Sequence, residues 1–538
     1  MNGLNTLVKR LTWVAASLLL LCAASISQAM SLEQALSMVK GSNSNRIAAI
    51  NDALISDAAT IAPFFKALEE KRVYFTDVQV FVVNENTVID AVTGRTTSLP
   101  ADASEARVNN RIRKALRDSR AGLRLFSDDR QTRLLAAQDM ASNPSKAILK
   151  LFERARQTEE DKEILAVFTL AQARVGITSE NVQTRLTAAQ TLGQSDSLTV
   201  RQLLRDRLSQ TDSGFTEADP AVRKALNTAY AAVEYRIFMS EIGGTLFAGI
   251  SLGSVLLLAA LGLAITYGLM GVINLAHGEL IMIGAYATYL AQEVFRNYFS
   301  PHWFDAYLIL AIPMAFLCAA AVGALLERFV IRHLYGRELE TLLATWGISL
   351  ILMQGVRNLF GAQNVSVENP SWMSGGLQVT SSLVLPYNRI AIIVFSVLVL
   401  IAVGAVISRT RLGLFVRATI QNRTMARCVG VPTKRTDLMA FSLGSGVAGL
   451  AGCALSQIGN VGPDLGQGYI VDSFLVVVVG GVGQLAGAVT AALGLGIFSK
   501  ILEGMSGAVI AKIMLLVVVI IFIQRRPQGI FALRGRGA

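Results

Sequence analysis

From Thr245 onward the chain alternates long apolar runs with short polar connections. The runs lie near Thr245–Tyr267, Val272–Val294, Ala306–Leu326, Glu340–Phe360, Ile390–Ile407, Leu438–Ile458 and Ala508–Ile523. Each approaches the ~20 residues that a helix needs to cross a bilayer core. Between the last two, Ile470–Lys500 is apolar but rich in glycine, and is expected to be broken. The pattern predicts a mostly α protein whose residues 241–538 form a polytopic helical membrane domain, with seven full spans plus a re-entrant hairpin, or nine crossings.

Residues 30–240 lack such runs. Ser31–Lys71 has helical periodicity, Val73–Val83 reads as a strand, and Asn84-Glu85-Asn86 would turn it into Thr87–Val92 as a small β-hairpin. Glu105–Ala232 is rich in Ala, Leu and Arg at helical spacing. Gln131–Gln138 and Gln183–Gln190 agree at seven of eight positions, and Asp219–Ala225 reads as the start of a further unit. Stacked helix pairs resembling HEAT repeats would explain this, each burying its Leu/Ala stripe on a neighbour; coincidence among Ala-rich helices is the alternative. Residues 30–240 hold six glycines against 38 in 241–538, which puts the domain boundary near Glu241.

Composition adds an address. Lys9 and Arg10, the apolar Leu11–Ala24 and the small Ser27 and Ala29 read as a signal peptide over 1–29, with an uncleaved anchor helix as the alternative. The helix-rich domain 30–240 would then be periplasmic, and the protein would sit in a bacterial inner membrane. The net charge is +11, and the basic residues of 241–538 cluster in a few loops. Arg409, Arg411, Arg417, Arg423, Arg427, Lys434 and Arg435 crowd 408–437, and Arg525, Arg526, Arg534 and Arg536 crowd the tail. Both segments should be cytoplasmic, whereas 361–388, with Glu368 and no Lys or Arg, should lie outside. This fits a bilayer as partner, and not a nucleic acid. Four cysteines and three scattered histidines offer neither a disulfide framework nor a metal site, and no cofactor is expected. No Gly-x-x-x-x-Gly-Lys-Ser/Thr loop is present, so the chain is not read as an enzyme and any ATP hydrolysis belongs to other chains.

Candidate chemistry lies in Gly271-Val-Ile-Asn-Leu-Ala-His-Gly-Glu279, set between two apolar runs. Asn274, His277 and Glu279 are polar groups at or beside membrane depth, where they are costly and usually functional. Gly481-Val-Gly-Gln-Leu-Ala486 repeats the Gly-Val-x-amide-Leu-Ala pattern. Paired interruptions in two halves of a transporter point to a solute site. The substrate path is therefore expected at Asn274, His277, Gly278, Glu279, Gly481 and Gln484. The glycines alone also fit helix packing, as in Gly249-x-x-x-Gly253 and Gly483-x-x-x-Gly487. Asp472 is expected to cap a half-helix, Lys500 and Lys512 to snorkel to an interface, and Tyr298, Phe299 and Trp303 to form an aromatic belt. Arg411–Gly430 reads as one short basic amphipathic helix ending at glycine, either a docking element for a partner or a solvated loop that sets topology.

Residues 243–533 resemble the integral membrane permeases of branched-chain amino acid ABC importers. The pieces that carry the resemblance are Leu252-Gly-Ser254, Tyr267–Glu279, Arg417-Ala418 with Asn422 and Gly430, Gly480–Gly487 and Arg526-Pro-Gln-Gly529. The resemblance implies that Arg417, Asn422, Ala426 and Gly430 belong to the segment that couples to the ATPase. The usual acidic residue and first alanine of that motif are Thr424 and Met425 here. The extension before the permease, with Arg107-Val-Asn-Asn-Arg-Ile-Arg113, resembles the urea-transporter branch. That branch implies a second permease subunit, ATP-binding subunits and a periplasmic substrate-binding protein. Urea or a short amide is the leading expected solute. Branched-chain amino acids, or a stand-alone channel with a periplasmic sensor domain, are the alternatives.

Overall fold

The computed structural model describes residues 30–531 apart from 57, 85–86, 212–213 and 272–273. The expected signal segment, and Arg534 and Arg536 of the tail, lie outside the described residues. The chain forms two compact units that divide between Arg236 and Ile237.

The first unit opens with helices α1 (Leu32–Val39), α2 (Asn43–Ser56) and α3 (Ala58–Glu69). Ser31 and Gln34 start α1 with a reciprocal capping box. Five short strands follow: β1 (Val73–Phe75), β2 (Val80–Asn84), β3 (Thr87–Asp90), β4 (Thr96–Thr97) and β5 (Ser104–Glu105), ordered β4-β3-β2-β1-β5 with every pair antiparallel. The single strand expected over 73–83 is thus two. Thr76 closes a turn onto Gln79 by exchanging hydrogen bonds with it, and the chain folds back before Val80. Helices α4 (Asn110–Leu123), α5 (Arg130–Ser142), α6 (Lys146–Ala155), α7 (Lys162–Gly176), α8 (Val182–Leu192) and α9 (Leu198–Leu208) complete the unit. Phe64, Phe65, Leu68, Val73, Val80, Ile112, Leu116, Phe152 and Phe168 lie in one core.

One side-chain arrangement recurs among these helices. Arg133 donates to the carbonyls of Ser127 and Asp128, Arg185 to those of Ser179 and Glu180, and Arg223 to those of Glu217 and Ala218. Arg133 pairs with Glu159 at 2.7 Å and Arg185 with Glu217 at 2.9 Å. The Arg133 guanidinium holds the Glu159 carboxyl below its usual range.

The second unit is helical. Seven described helices are long and apolar enough to cross a membrane. They are α10 (Pro220–Met270, whose first part belongs to the first unit), α12 (Tyr307–Phe329), α13 (Glu338–Phe360), α14 (Tyr387–Arg409), α17 (Thr433–Ser456), α19 (Leu485–Ser506) and α20 (Ala508–Arg525). The set differs from the expected one. The run expected as a span over 272–294 forms α11 (His277–Tyr298), which is not among the seven. Its residues from His277 to Leu280 are all buried, and it carries Glu279, Gln292, Glu293 and Arg296, because it faces other helices. The glycine-rich 470–500 region holds α18 (Leu465–Gly480), too short for the set, and α19, which belongs to it.

Helix α17 is central. Its small residues let backbones approach closely, the usual device where apolar side chains gain nothing from leaving lipid. A methyl at Gly444 would lie 2.7 Å from the Gly262 carbonyl oxygen of α10, and one at Gly452 would lie 2.7 Å from the Ala285 nitrogen of α11. Gly249 and Gly253 of α10 face Ile497 and Ala492 of α19, so these two helices run antiparallel and that pair of glycines serves packing. The connection 361–386 carries a two-stranded sheet, β6 (Gly376–Gln378) with β7 (Val384–Pro386), and bridges back through Val365 to Val461.

Candidate functional site

The first interruption separates α10 from α11. Gly271, at φ +65°, accepts the left-handed turn that ends α10. Asn274 Oδ1 then accepts from the Ala276 amide at 3.0 Å, a local Asx turn. The Leu275 amide donates to Thr345 Oγ1 of α13 at 3.2 Å. His277 Nε2 lies 2.9 Å from the Ala259 carbonyl oxygen, which requires the ring proton on Nε2. Ser349 Oγ of α13 donates to Glu279 Oε1 at 2.7 Å. Asn274, His277, Glu279 and Tyr286 are each at most 2% exposed. Asn274 Nδ2, His277 Nδ1, Glu279 Oε2 and the Tyr286 hydroxyl have no partner among the described residues. An unpartnered buried polar group costs about 1–3 kcal/mol, so four of them within the short stretch Asn274–Tyr286 mark a candidate site.

Gly278 fixes what faces this cluster. A methyl there would lie 2.7 Å from the Gly466 carbonyl oxygen, so the first turns of α11 and α18 touch backbone to backbone. Two helix N-termini meet, and the partial positive charge at each favours the acidic residues beside them, Glu279 in the first turn of α11 and Asp464 at the start of α18.

The second interruption, between α18 and α19, is built differently. Gly481 and Gly483 take φ of +99° and +78°. The C-terminal segment covers the turn: the Ile530 amide donates to the Val479 carbonyl at 2.8 Å, and a methyl at Gly529 would lie 2.6 Å from the Gly481 nitrogen. Gln484 precedes α19, half-buried, and its side chain makes no hydrogen bond among the described residues. The two interruptions adjoin through glycine, since a methyl at Gly268 would lie 2.7 Å from Gly483 Cα. Gly483-x-x-x-Gly487 is not one helix face: the turn lies inside it, and Gly487 backs onto Gly480.

Other expected roles change. Asp472 lies inside α18 and caps nothing; Lys512 of α20 stands 3.4 Å from it and from the Gly468 carbonyl. Lys500 pairs with Glu503 at 2.6 Å. Tyr298, Phe299 and Trp303 are exposed. The sequence reading missed Thr345, Ser349, Tyr286 and Asp464. A signal existed for two of them: Thr341, Thr345 and Ser349 recur every fourth residue in an apolar run, and all three are buried.

The basic loop is two helices, α15 (Arg411–Gln421) and α16 (Arg423–Cys428), and not one. Asn422 breaks them by adopting extended backbone, and its Oδ1 caps α16 by accepting from the Met425 amide at 3.0 Å. Ala426 is buried, while Arg417 and Val429 are exposed. Gly430, at φ +89°, closes α16 in a Schellman turn, with the Val431 amide on the Ala426 carbonyl at 2.9 Å and its own amide on that of Arg427 at 3.1 Å. Arg423 pins the element by pairing with buried Asp437 and stacking 4.3 Å from the Tyr335 ring. Burial, with the nearby Asp437 and Glu327 carboxylates, pushes the Tyr335 hydroxyl above its ordinary pKa.

A bundle of apolar helices enclosing a polar break defines a multi-pass membrane protein of the transport class. Residues 245–523 match the family described as branched-chain amino acid transport system, permease component, and the chain belongs to that family. It is 29% identical over 291 residues to the high-affinity branched-chain amino acid transport system permease protein BraD of Pseudomonas aeruginosa, covering 52% of this chain and 93% of BraD. It is 28% identical over 293 residues to the corresponding permease LivH of Escherichia coli, covering 53% and 94%. The probable LivH of Methanocaldococcus jannaschii is 25% identical over 292 residues, covering 52% and 88%. No solved structure matches the chain.

Proposed function

We propose that this chain is the permease subunit of an ABC importer in a bacterial inner membrane, passing a small polar solute along the first interruption. Separate ATP-binding subunits power it, a second permease subunit completes the pore, and a periplasmic substrate-binding protein delivers the solute. The observation that carries this reading is the family match lying over a buried break with four unpartnered polar groups. Branched-chain amino acids are the favoured solute, on the names of the relatives. Asn274 and Gln484 line the route, with His277 and Glu279 beside them, and Gly278 and Gly481 shape the two breaks through their backbone contacts. Arg417, Asn422, Ala426 and Gly430 belong to the ATPase-coupling element, Asn422, Ala426 and Gly430 by shaping it and Arg417 by contact.

A second reading, urea or a short amide, rests on the resemblance of the extension before the permease, with Arg107–Arg113, to the urea-transporter branch. The match covers nearly all of each relative, so the first unit, which precedes residue 245, has no counterpart of its size there. That unit would be periplasmic and built of HEAT-like repeats, the recurring Arg133, Arg185 and Arg223 contacts being their common joint. Uptake of labelled leucine and labelled urea, in cells with and without the gene, separates the readings. Loss of leucine uptake supports the first, loss of urea uptake the second, and loss of neither overturns both. Flux through the purified chain without ATPase subunits would instead make it a channel.

A further inference from the structure

We infer that Glu279, Tyr286 and Asp464 form an acceptor site for the N–H-bearing end of the solute, an ammonium or an amide nitrogen. The inference rests on the proposed transport function and names which end of the solute the first interruption holds. Glu279 is 1% exposed, with Oε1 taken by Ser349 and Oε2 unpartnered. The Tyr286 hydroxyl is also buried and unpartnered, on a ring packed against Phe360 at a tilt of 36°, with the centroids 4.7 Å apart. Asp464 lies within electrostatic reach of both the Glu279 carboxylate and the Tyr286 hydroxyl. The Gly278–Gly466 contact brings the helix ends that carry Glu279 and Asp464 together.

Among the described residues no Lys, Arg or His forms an ion pair with Glu279 or Asp464. Glu279 is buried and needs a partner; Asp464 is exposed and adds negative charge at the mouth of the site. The helix N-termini supply part of the compensation, but they offer no donor that reaches Glu279 Oε2. A ligand nitrogen would donate to Glu279 Oε2, with the Tyr286 hydroxyl oxygen as a further acceptor and the Asp464 charge favouring a donor there. A keto acid of the same carbon skeleton has no N–H to offer and would be refused. Val461, bridged to Val365 by amide–carbonyl bonds of 2.8 and 2.9 Å, lies three residues before Asp464 and holds the loop that carries it.

Carbodiimide labelling of Glu279 in the purified importer tests this without requiring transport. Leucine, urea and 4-methyl-2-oxopentanoate are the probes, and labelled peptide is read by mass spectrometry. Protection by leucine, by urea, or by both is expected to slow labelling by about tenfold, the effect of one charged hydrogen bond, and the keto acid is expected to leave it unchanged. Protection by leucine identifies an ammonium, and protection by urea an amide. Asp464→Asn and Tyr286→Phe should weaken protection and raise the KM of uptake more than they lower kcat, with complex yield as the check on assembly. No protection by either N–H-bearing probe, equal protection by the keto acid, or unchanged protection in both variants overturns the inference. If protection holds while the wild type carries neither solute, the transport reading falls and the acceptor site stands.

Discussion

The two interruptions share the pattern Gly-Val-x-amide-Leu-Ala yet do different things with it. At the first, Asn274 is buried, turns the backbone through its Oδ1 and keeps its Nδ2 unpartnered, while α13 supplies Thr345 and Ser349. At the second, Gln484 is half-buried, and the space against the turn is filled by the protein's own C-terminal segment. The shared residues encode a shared backbone device, a helix that stops at glycine and restarts after an amide. The polar lining comes from neighbours far away in sequence, and only one of the two breaks has it.

The comparison breaks most visibly at Gly278. Gly278→Leu forces a side chain into the Gly466 backbone, and uptake should fall to background with little assembled complex, measured by labelled-solute uptake and membrane abundance. Gly529→Leu pushes the C-terminal segment off Gly481, and uptake should drop by roughly tenfold while the complex still assembles, since a clash of this kind costs about 1–3 kcal/mol. Gly430→Leu strains a left-handed position by about 1 kcal/mol. It should leave ATP hydrolysis running while uptake falls, and normal coupling in that variant would remove Arg417–Gly430 from the ATPase contact. The smallest effect is expected far from either break. Arg185→Ala loses the Glu217 pair and two carbonyl contacts, and should lower the melting temperature of the full chain by about 2–4 °C without changing uptake KM.

Much of this was legible in sequence where a local rule applied. The apolar runs gave most of the spanning helices, and Gly271 and Gly481 marked both interruptions because left-handed backbone needs glycine. The coarse position of Glu279 was legible because a carboxylate in an apolar run has few innocent explanations. What failed was non-local. Periodicity over 272–294 could not reveal that α11 is walled by protein on most sides and needs less apolar surface than a lipid-facing span. Asp472 reads as a cap only if the helix starts near Ile470, where the apolar run begins; α18 starts at Leu465, about one and a half turns earlier. Tyr286 and Asp464 carried no local signal at all, since only the Gly278–Gly466 contact brings their helix ends together.

The central claim is that the first interruption, and not the second, supplies the main polar lining of the solute route. Uptake by Asn274→Leu and Gln484→Leu, compared side by side at equal membrane abundance, tests it most directly. Asn274→Leu removes a buried turn acceptor and an unpartnered donor, and uptake is expected to fall by about tenfold or more; Gln484→Leu, at a half-exposed position, should fall by only a few-fold. Wild-type rate and affinity in Asn274→Leu, or a larger loss in Gln484→Leu, would contradict the account.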